Sequence, residues 1–390
     1  MRISLLLGTL IFITMLGSLS RGEEVRAWTG STGVVIQARI NGIKDGMVVL
    51  EREDGRTFEV APDKLSEADR DYARKWWSER ERERESMPPS AEDPDFADWP
   101  TSVAAENIEV REVESEGSES GLFLYESEHF RFTSDVQLGV SLVKEFGRLF
   151  EGTYAAVNGV PLGLIAQQRE KLFDVRLYEL ESDFLAALGG GMTGAAGVYD
   201  PNTDTVMVPL ASLGVKKVGS RYSIEDKQGN ETLIHEIAHQ LTTHWSQSVR
   251  RAWWSEGCAE YFASMGYRNG RFTLTGHGKR SREYMKNLKG VWEDEFLMTD
   301  PKRLLAMTQG EWNASIDVAN YASAHVLFYF FVHLDGEPNG EAMYRYLQAI
   351  KDGVEEEKAL EEHLLKGRDL DQLREELAKG WRKHDLDLKF

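Results

Sequence analysis

Between Ser78 and Ser120 the chain loses the means to build a core, and this interval most constrains what it can fold into. Arginine and glutamate alternate from Arg80 to Glu85, Pro88 and Pro89 follow, and acidic and small residues dominate from Glu112 to Ser120. Such a stretch buries too little apolar surface to offset the entropy lost on ordering it. It reads as a charged, acidic linker over residues 78–120, helical at its start. The 390-residue chain is thereby split into a small body over residues 23–77 and a large one over residues 121–390.

The first residues belong to neither body. Arg2 is followed by an apolar run from Ile3 to Leu16, then by Ser18 and Ser20, before charge returns at Arg21. A positive start, an apolar centre and a small-residue cleavage site read as a secretory signal peptide over residues 1–22. The apolar run falls short of the roughly 20 residues that a spanning helix needs, and no later stretch is long and apolar enough. The expectation is an exported bacterial chain, periplasmic or extracellular, without stable membrane insertion once mature. Cys258 is the only cysteine, so no intramolecular disulfide can form and the core alone must stabilise the fold. A net charge of −19 repels nucleic acid and anionic membrane surfaces, and neither is expected as a partner.

In the small body, Val34, Ile36 and Ala38 alternate with polar neighbours, as do Val48 with Leu50 and Phe58 with Val60. Asn41-Gly42, Asp45-Gly46 and Asp54-Gly55 are hairpin-turn signals. Short strands joined by tight turns predict a small β-barrel. Arg26-Ala27-Trp28-Thr29, with Leu50, Asp54-Gly55-Arg56, Lys64-Leu65-Ser66 and Asp69, resembles the SH3-like Sla-one homology domain. In its eukaryotic namesake that domain binds short peptide motifs. The resemblance implies an SH3-like fold with a peptide-motif or protein partner; a non-catalytic spacer or docking module is the plainer reading.

The large body begins with strand-like runs, at Phe130 and Phe132, at Leu172 to Leu177 and at Thr205 to Leu210. An amphipathic helix carrying Val136, Val140, Val143, Phe146, Leu149 and Phe150 interrupts them. After Asn230 the chain reads as almost wholly helical, ending with Leu373, Leu377 and Trp381. Strands first and helices afterwards predict an α+β fold.

The chemistry concentrates in Glu231-Thr-Leu-Ile-His235-Glu236-Ile-Ala-His239-Gln240, which holds the pattern HExxH. Asn230 is placed to cap this helix, and Leu233, Ile234, Ile237 and Leu241 give it an apolar face. Residues four apart share a helix face, so His235 and His239 can reach one ion, with Glu236 beside a water on it. Neutral imidazole suits Zn2+. Further on, Trp253-Trp254-Ser255-Glu256-Gly257-Cys258-Ala259-Glu260-Tyr261 opens a second helical pattern. Glu256 from that helix completes a His₂Glu ligand set. Cys258 reads as a small buried hydrophobe. Trp253, Trp254 and Tyr261 read as walls of the site, although core packing uses the same residue types.

HExxH followed by W-x-E-G-x-A-E-Y resembles the gluzincin, peptidase MA-like, zinc metallopeptidases over roughly residues 122–390. The resemblance implies a thermolysin-like zincin domain with zinc ligands His235, His239 and Glu256. It makes Glu236 the general base for attack of a zinc-bound water on a peptide bond. Glu260, one turn past Glu256, is then the acid that orients a ligand histidine, against a plain exposed carboxylate. Tyr321, in Asn320-Tyr321-Ala-Ser-Ala-His325, resembles the tyrosine that stabilises the oxyanion in gluzincin aminopeptidases, against a core tyrosine. His325 is the competing donor. Gly190-Gly-Met192-Thr-Gly194 loosely resembles the exopeptidase motif of that branch but lacks its glutamate, which favours an endopeptidase. The expected partner is a peptide or protein substrate. The alternative is a catalytically inactive zinc-binding scaffold that engages a protein partner through the N-terminal barrel. Strand Thr205 to Leu210, preceding the HExxH helix, is expected to be the edge that pairs with substrate backbone.

Overall fold

Alternating burial in the small body is realised as four antiparallel strands: β1 (Arg26–Thr29), β2 (Val35–Lys44), β3 (Met47–Glu51) and β4 (Thr57–Val60), adjacent in that order. A computed structural model describes residues 25–390 except 45, 53–55, 86–92, 106, 115–120, 165–170, 190–194, 225–228, 288–295, 315–316 and 337–338. The signal segment, Asp45, the Asp54-Gly55 turn and the Gly190–Gly194 run thus lie outside the described residues. Helix α1 (Glu67–Glu85) follows the sheet. Its inner face joins Ala73 and Trp76 to a core of Trp28, Ala38, Ile40, Val48, Leu50 and Leu65.

Two expectations for this unit are corrected. Asn41-Gly42 is not a turn: β2 runs through it, with a register shift between Ile40 and Gly42. A glycine inside a strand accommodates such a bulge as readily as it does a turn. Nor is a closed barrel formed among the described residues. No strand pairing returns β4 to β1, and only an isolated bridge joins Gly30 to Leu65.

Of the residues that carried the Sla-one resemblance, Arg26, Trp28, Thr29, Ser66 and Asp69 are linked by close contacts. Trp28 Nε1 donates to Ala38 O at 2.9 Å. Asp69 accepts from Thr29 N at 2.7 Å and pairs with Arg26 at 2.8 Å. The Arg26 guanidinium lies 4.8 Å from the Trp28 ring and 4.1 Å from that of Tyr72. Ser66 and Asp69 close the start of α1 with Asp69 N on Ser66 Oγ at 3.2 Å, a hydroxyl cap on an otherwise unpaired N–H.

The described residues up to Glu85 and those from Asp93 onward form two compact units. Within the stretch expected to be linker, residues 78–120, regular elements are present. Helix α1 continues through the Arg/Glu run to Glu85. Strands β5 (Ser102–Ala104) and β6 (Arg111–Val113) lie inside the stretch assigned to linker. The partners that order it are distant in sequence. Val103 fills the space above Gly159, where an added Cβ would meet it at 2.8 Å. Trp99 Nε1 donates to Asn339 O at 2.8 Å, and Asp93 accepts from the Tyr344 hydroxyl at 3.0 Å.

The large unit is α+β as expected. Strands β7 (Phe123–Glu126) and β8 (Phe130–Ser134) lead into helix α2 (Val140–Gly159) and strand β9 (Phe173–Tyr178). Helix α3 (Glu181–Ala187) and strands β10 (Val198–Asp200) and β11 (Thr205–Pro209) complete a mixed six-stranded sheet of order β10-β11-β9-β8-β7-β6. The β8–β9 and β9–β11 pairs are parallel, and α2 is the crossover between β8 and β9. Phe130 and Phe132 pack on Phe150 of α2 with ring centroids 5.4 and 5.2 Å apart. Strand β11, expected at the edge, is interior; β10 is the edge strand beside it, and β6 forms the opposite edge. Three residues between turn signals are too few to register as a strand by alternation.

After a hairpin of β12 (Val215–Val218) and β13 (Arg221–Ile224) come helices α4 (Glu231–Val249) and α5 (Ala252–Ala263). Strand β14 (Gly266–Arg268) pairs with β15 (Arg271–Thr273), which pairs with β5, and both precede α6 (His277–Asn287). Strand β16 (Phe296–Leu297) and helices α7 (Pro301–Ala306), α8 (Gln309–Ala314) and α9 (Val318–His333) follow. Helices α10 (Glu341–Lys351), α11 (Glu356–Ala359) and α12 (Leu370–Arg382) end the fold, with β17 (Leu388–Lys389) beside β16. Helix α9 is predominantly apolar and buried almost throughout, as a central core helix must be. Among the described residues no helix is long and apolar enough to cross a membrane.

Trp28 anchors the small unit, and Trp28→Ala should cost about 3–5 kcal/mol. That is comparable with the whole stability of a unit this size, at roughly 0.05–0.15 kcal/mol per residue. Limited proteolysis should then cut before Pro88 while the rest of the chain stays resistant. Unchanged protection would refute the assignment.

Candidate metal centre

Helix α4 carries the first half of the centre and is buried on nearly every side. Leu233, Ile234, Ile237 and Leu241 supply the predicted apolar face. Gln240 adds a polar fastening, its Nε2 donating to Asp174 O at 3.0 Å and Asp204 O at 2.9 Å, which ties the helix to the sheet. Asn230 stands at the N-cap position, but its side chain makes no capping hydrogen bond. Its backbone is helical (φ −96°, ψ −1°) rather than extended, so the amide is not aimed at the first turn.

The chain leaves α4 through Arg250 in the left-handed region (φ 56°) and starts α5 two residues later. Helix α5 lies against α9 at Gly257. A Cβ there would stand 2.6 Å from Ala324 O and 2.9 Å from Phe328 Cβ. The glycine after Glu256 is thus what lets the two helices touch backbone to backbone.

These elements bring His235, His239 and Glu256 together. The two Nε2 atoms are 2.9 Å apart, and Glu256 Oε2 is 3.4 Å from His235 Nε2 and 3.3 Å from His239 Nε2. Ligands tetrahedrally placed about 2.0–2.2 Å from one ion lie roughly 3.3–3.6 Å from each other. The carboxylate distances fall in that range and the imidazole pair slightly inside it. All three residues are at most 4% exposed. The group could hold a metal ion.

The surrounding charge favours a cation. Burial disfavours protonation of His235, yet Glu260 and Glu256 outweigh it and raise its pKa well above the usual value. Burial alone would raise the Glu256 carboxyl, but His239 and His235 hold it at about 2. Glu236 belongs to the same cluster, its Oε2 accepting from Tyr199 N of edge strand β10 at 2.9 Å. Burial raises its pKa, against the pull of the two histidines and of that N–H. Gly197 permits the close approach of this strand, since a Cβ there would meet Leu233 Cδ2 at 2.8 Å.

Behind the histidines lies a second layer. Glu260 is fully buried and its Oε1 faces His235 Nδ1 at 3.4 Å. It is not the exposed carboxylate of the alternative reading. Its Oε2 accepts a hydrogen bond from the Tyr284 hydroxyl of α6. Ser255 Oγ lies 3.4 Å from His239 Nδ1. Sequence reasoning missed Tyr199, Ser255 and Tyr284. Tyr284 sits in a polar helix with no motif spacing, and Tyr199 contributes a backbone atom.

Of the two oxyanion candidates, Tyr321 lies with its ring centroid 6.4 Å from that of His235, edge-packed on Trp312 at 4.9 Å. Burial and the nearby Glu256 push its phenol well above the usual range, so it stays a donor. His325 is completely buried one turn on, its ring 6.2 Å from Tyr284 and 6.1 Å from Tyr329. Trp253, Trp254 and Tyr261 are core residues rather than walls: Trp253 packs on Phe331 and Tyr346, and the Tyr261 hydroxyl lies 2.9 Å from His333 Nε2. Cys258 is buried, and burial pushes its thiol pKa up, as fits an inert hydrophobe.

Residues 19–81 match the family described as SLA1 homology domain 1, SHD1. Residues 230–351 match a family described as a protein of unknown function, DUF1570. That span contains His235, Glu236, His239, Glu256, Glu260, Tyr321 and His325. No curated protein matches the chain.

Two outcomes follow from the packing. Gly257→Ala should destabilise the fold by about 1–3 kcal/mol through overpacking on α9, read as a lower melting midpoint; an unchanged midpoint would mean α5 can retreat. Buried histidines should make the fold acid-sensitive. Burial lowers His277 well below its usual pKa, His325 to about 4 and His333 to about 3. Unfolded imidazoles protonate near pH 6.5, so below that the unfolded chain binds more protons and stability falls as pH drops toward about 4. In a chelator-treated protein, His325→Leu should flatten this fall relative to wild type in melts across pH 4–7. Parallel curves would contradict it.

Proposed function

We propose that this chain is an exported zinc-dependent metallopeptidase of gluzincin type. The single observation carrying this reading is the buried triangle of His235 Nε2, His239 Nε2 and Glu256 Oε2, with Glu236 beside it on α4. Zinc suits a donor set of two neutral imidazoles and one carboxylate, and when bound supplies a Lewis acid that lowers the pKa of a water to about 7.

The chain's own residues do the rest. Glu236, steadied by Tyr199 N–H, takes the proton of the attacking water and passes it to the leaving amine. Its carboxyl is raised by burial, toward the range in which a general base works near neutral pH. Tyr321, held protonated beside the site, is the donor to the developing oxyanion. Edge strand β10 offers a sheet margin next to Glu236 along which a peptide can add as a strand. Strand addition suits cleavage within a chain, hence an endopeptidase. The SLA1 homology domain is the natural docking module for a peptide or protein partner.

Metal analysis of the purified mature chain, paired with Glu236→Gln on a broad peptide library, tests the proposal. Bound zinc is expected in both proteins, with cleavage lower by about 10²–10⁴-fold in the variant. Absence of zinc, or undiminished cleavage by the variant, sinks the mechanism. Zinc binding without any cleavage by wild type would instead favour a non-catalytic zinc scaffold.

A further inference from the structure

The carboxylate behind His235 is itself held by a residue that no motif marks. Glu260 is fully buried, and its two oxygens face different donor groups, with a hydrogen bond made at Oε2. Oε1 faces His235 Nδ1 at 3.4 Å, and Oε2 accepts from the Tyr284 hydroxyl. Water does not reach this carboxylate, so its orientation depends on those donors. Losing one leaves a buried acceptor that gains by rotating toward another.

Tyr284 is well placed for such a hold. It projects from α6, whose inner positions His277, Ser281 and Met285 are buried. The helix is fastened to the neighbouring strand by Arg280, which donates to Thr275 O at 2.8 Å and also to Thr273 O. The His325 ring stands edge-on to the Tyr284 ring at 6.2 Å. Phenol and carboxylate thus come from two helices that the core fixes separately.

We infer that Tyr284 is a positioning residue of the metal centre: by holding Glu260 Oε2 it keeps Oε1 facing His235 Nδ1. The proton then stays on Nδ1, and Nε2 presents its lone pair beside His239 and Glu256. This rests on the metal reading proposed above. It goes beyond that reading in making ligand geometry depend on a helix outside both motifs.

Tyr284→Phe removes one oxygen and keeps the ring. Zinc affinity, measured by competition with a chelator, should fall on the order of tenfold. The visible bands of the cobalt-substituted protein should shift, and the melting midpoint of the metal-free protein should fall by a few degrees at most, since one hydrogen bond to a buried carboxylate is lost. Glu260→Ala should weaken zinc by about 10–100-fold, and adding Tyr284→Phe to it should change nothing further, because coupled residues are not additive. Wild-type zinc binding with an unaltered Tyr284→Phe affinity and cobalt spectrum overturns the inference alone. So does a full extra loss in the Glu260→Ala background. A wild type that binds no zinc overturns the metal reading and this inference with it.

Discussion

The centre depends first on how closely α5 can approach α9. Helix α5 brings Glu256 toward α4 on one side and carries Gly257 against Ala324 on the other. A side chain at Gly257 would push α5 off α9. Tyr321 and His325 on α9 would then lose their relation to Glu256 and Glu260 on α5. One missing methyl group therefore sets a distance on which the metal ligands and the residues behind them all rely. Protein interiors are close-packed, so such a displacement is not absorbed locally.

The second constraint is electrostatic. Glu236, Glu256 and Glu260 are all buried around His235 and His239. Burying so many carboxylates is costly unless each has a partner. Glu236 has the N–H of an edge strand, Glu260 a tyrosine hydroxyl and Glu256 two imidazoles. Every partner comes from a different stretch of chain, which ties the sheet, α4 and α6 to one small volume. A cation within the triangle would complement this concentration of negative charge.

The N-terminal unit repeats the logic at smaller scale. Asp69 is buried because Arg26 and the Thr29 N–H meet it, and Arg26 in turn rests on Trp28 and Tyr72. An ion pair covered by aromatic rings is less screened by solvent than an exposed one. It fastens the first strand to the start of α1 across the sheet.

Local spacing was enough for part of this. Residues His235 and His239 share a helix face by helical periodicity, and Glu236 must then lie beside it. Alternation revealed the strands of the small unit and the Phe130–Phe132 run. What spacing could not reach were relations between segments remote in sequence. The linker reading failed beyond Asp93 because Val103 and Trp99 find their partners at Gly159 and Asn339. The edge strand was misplaced because β10 is too short to show a period. Tyr284 and the Tyr199 N–H stayed hidden because a polar helix and a backbone atom leave no pattern in the amino-acid order. Periodicity belongs to a single element, whereas burial and hydrogen-bond partners are decided only when elements pack.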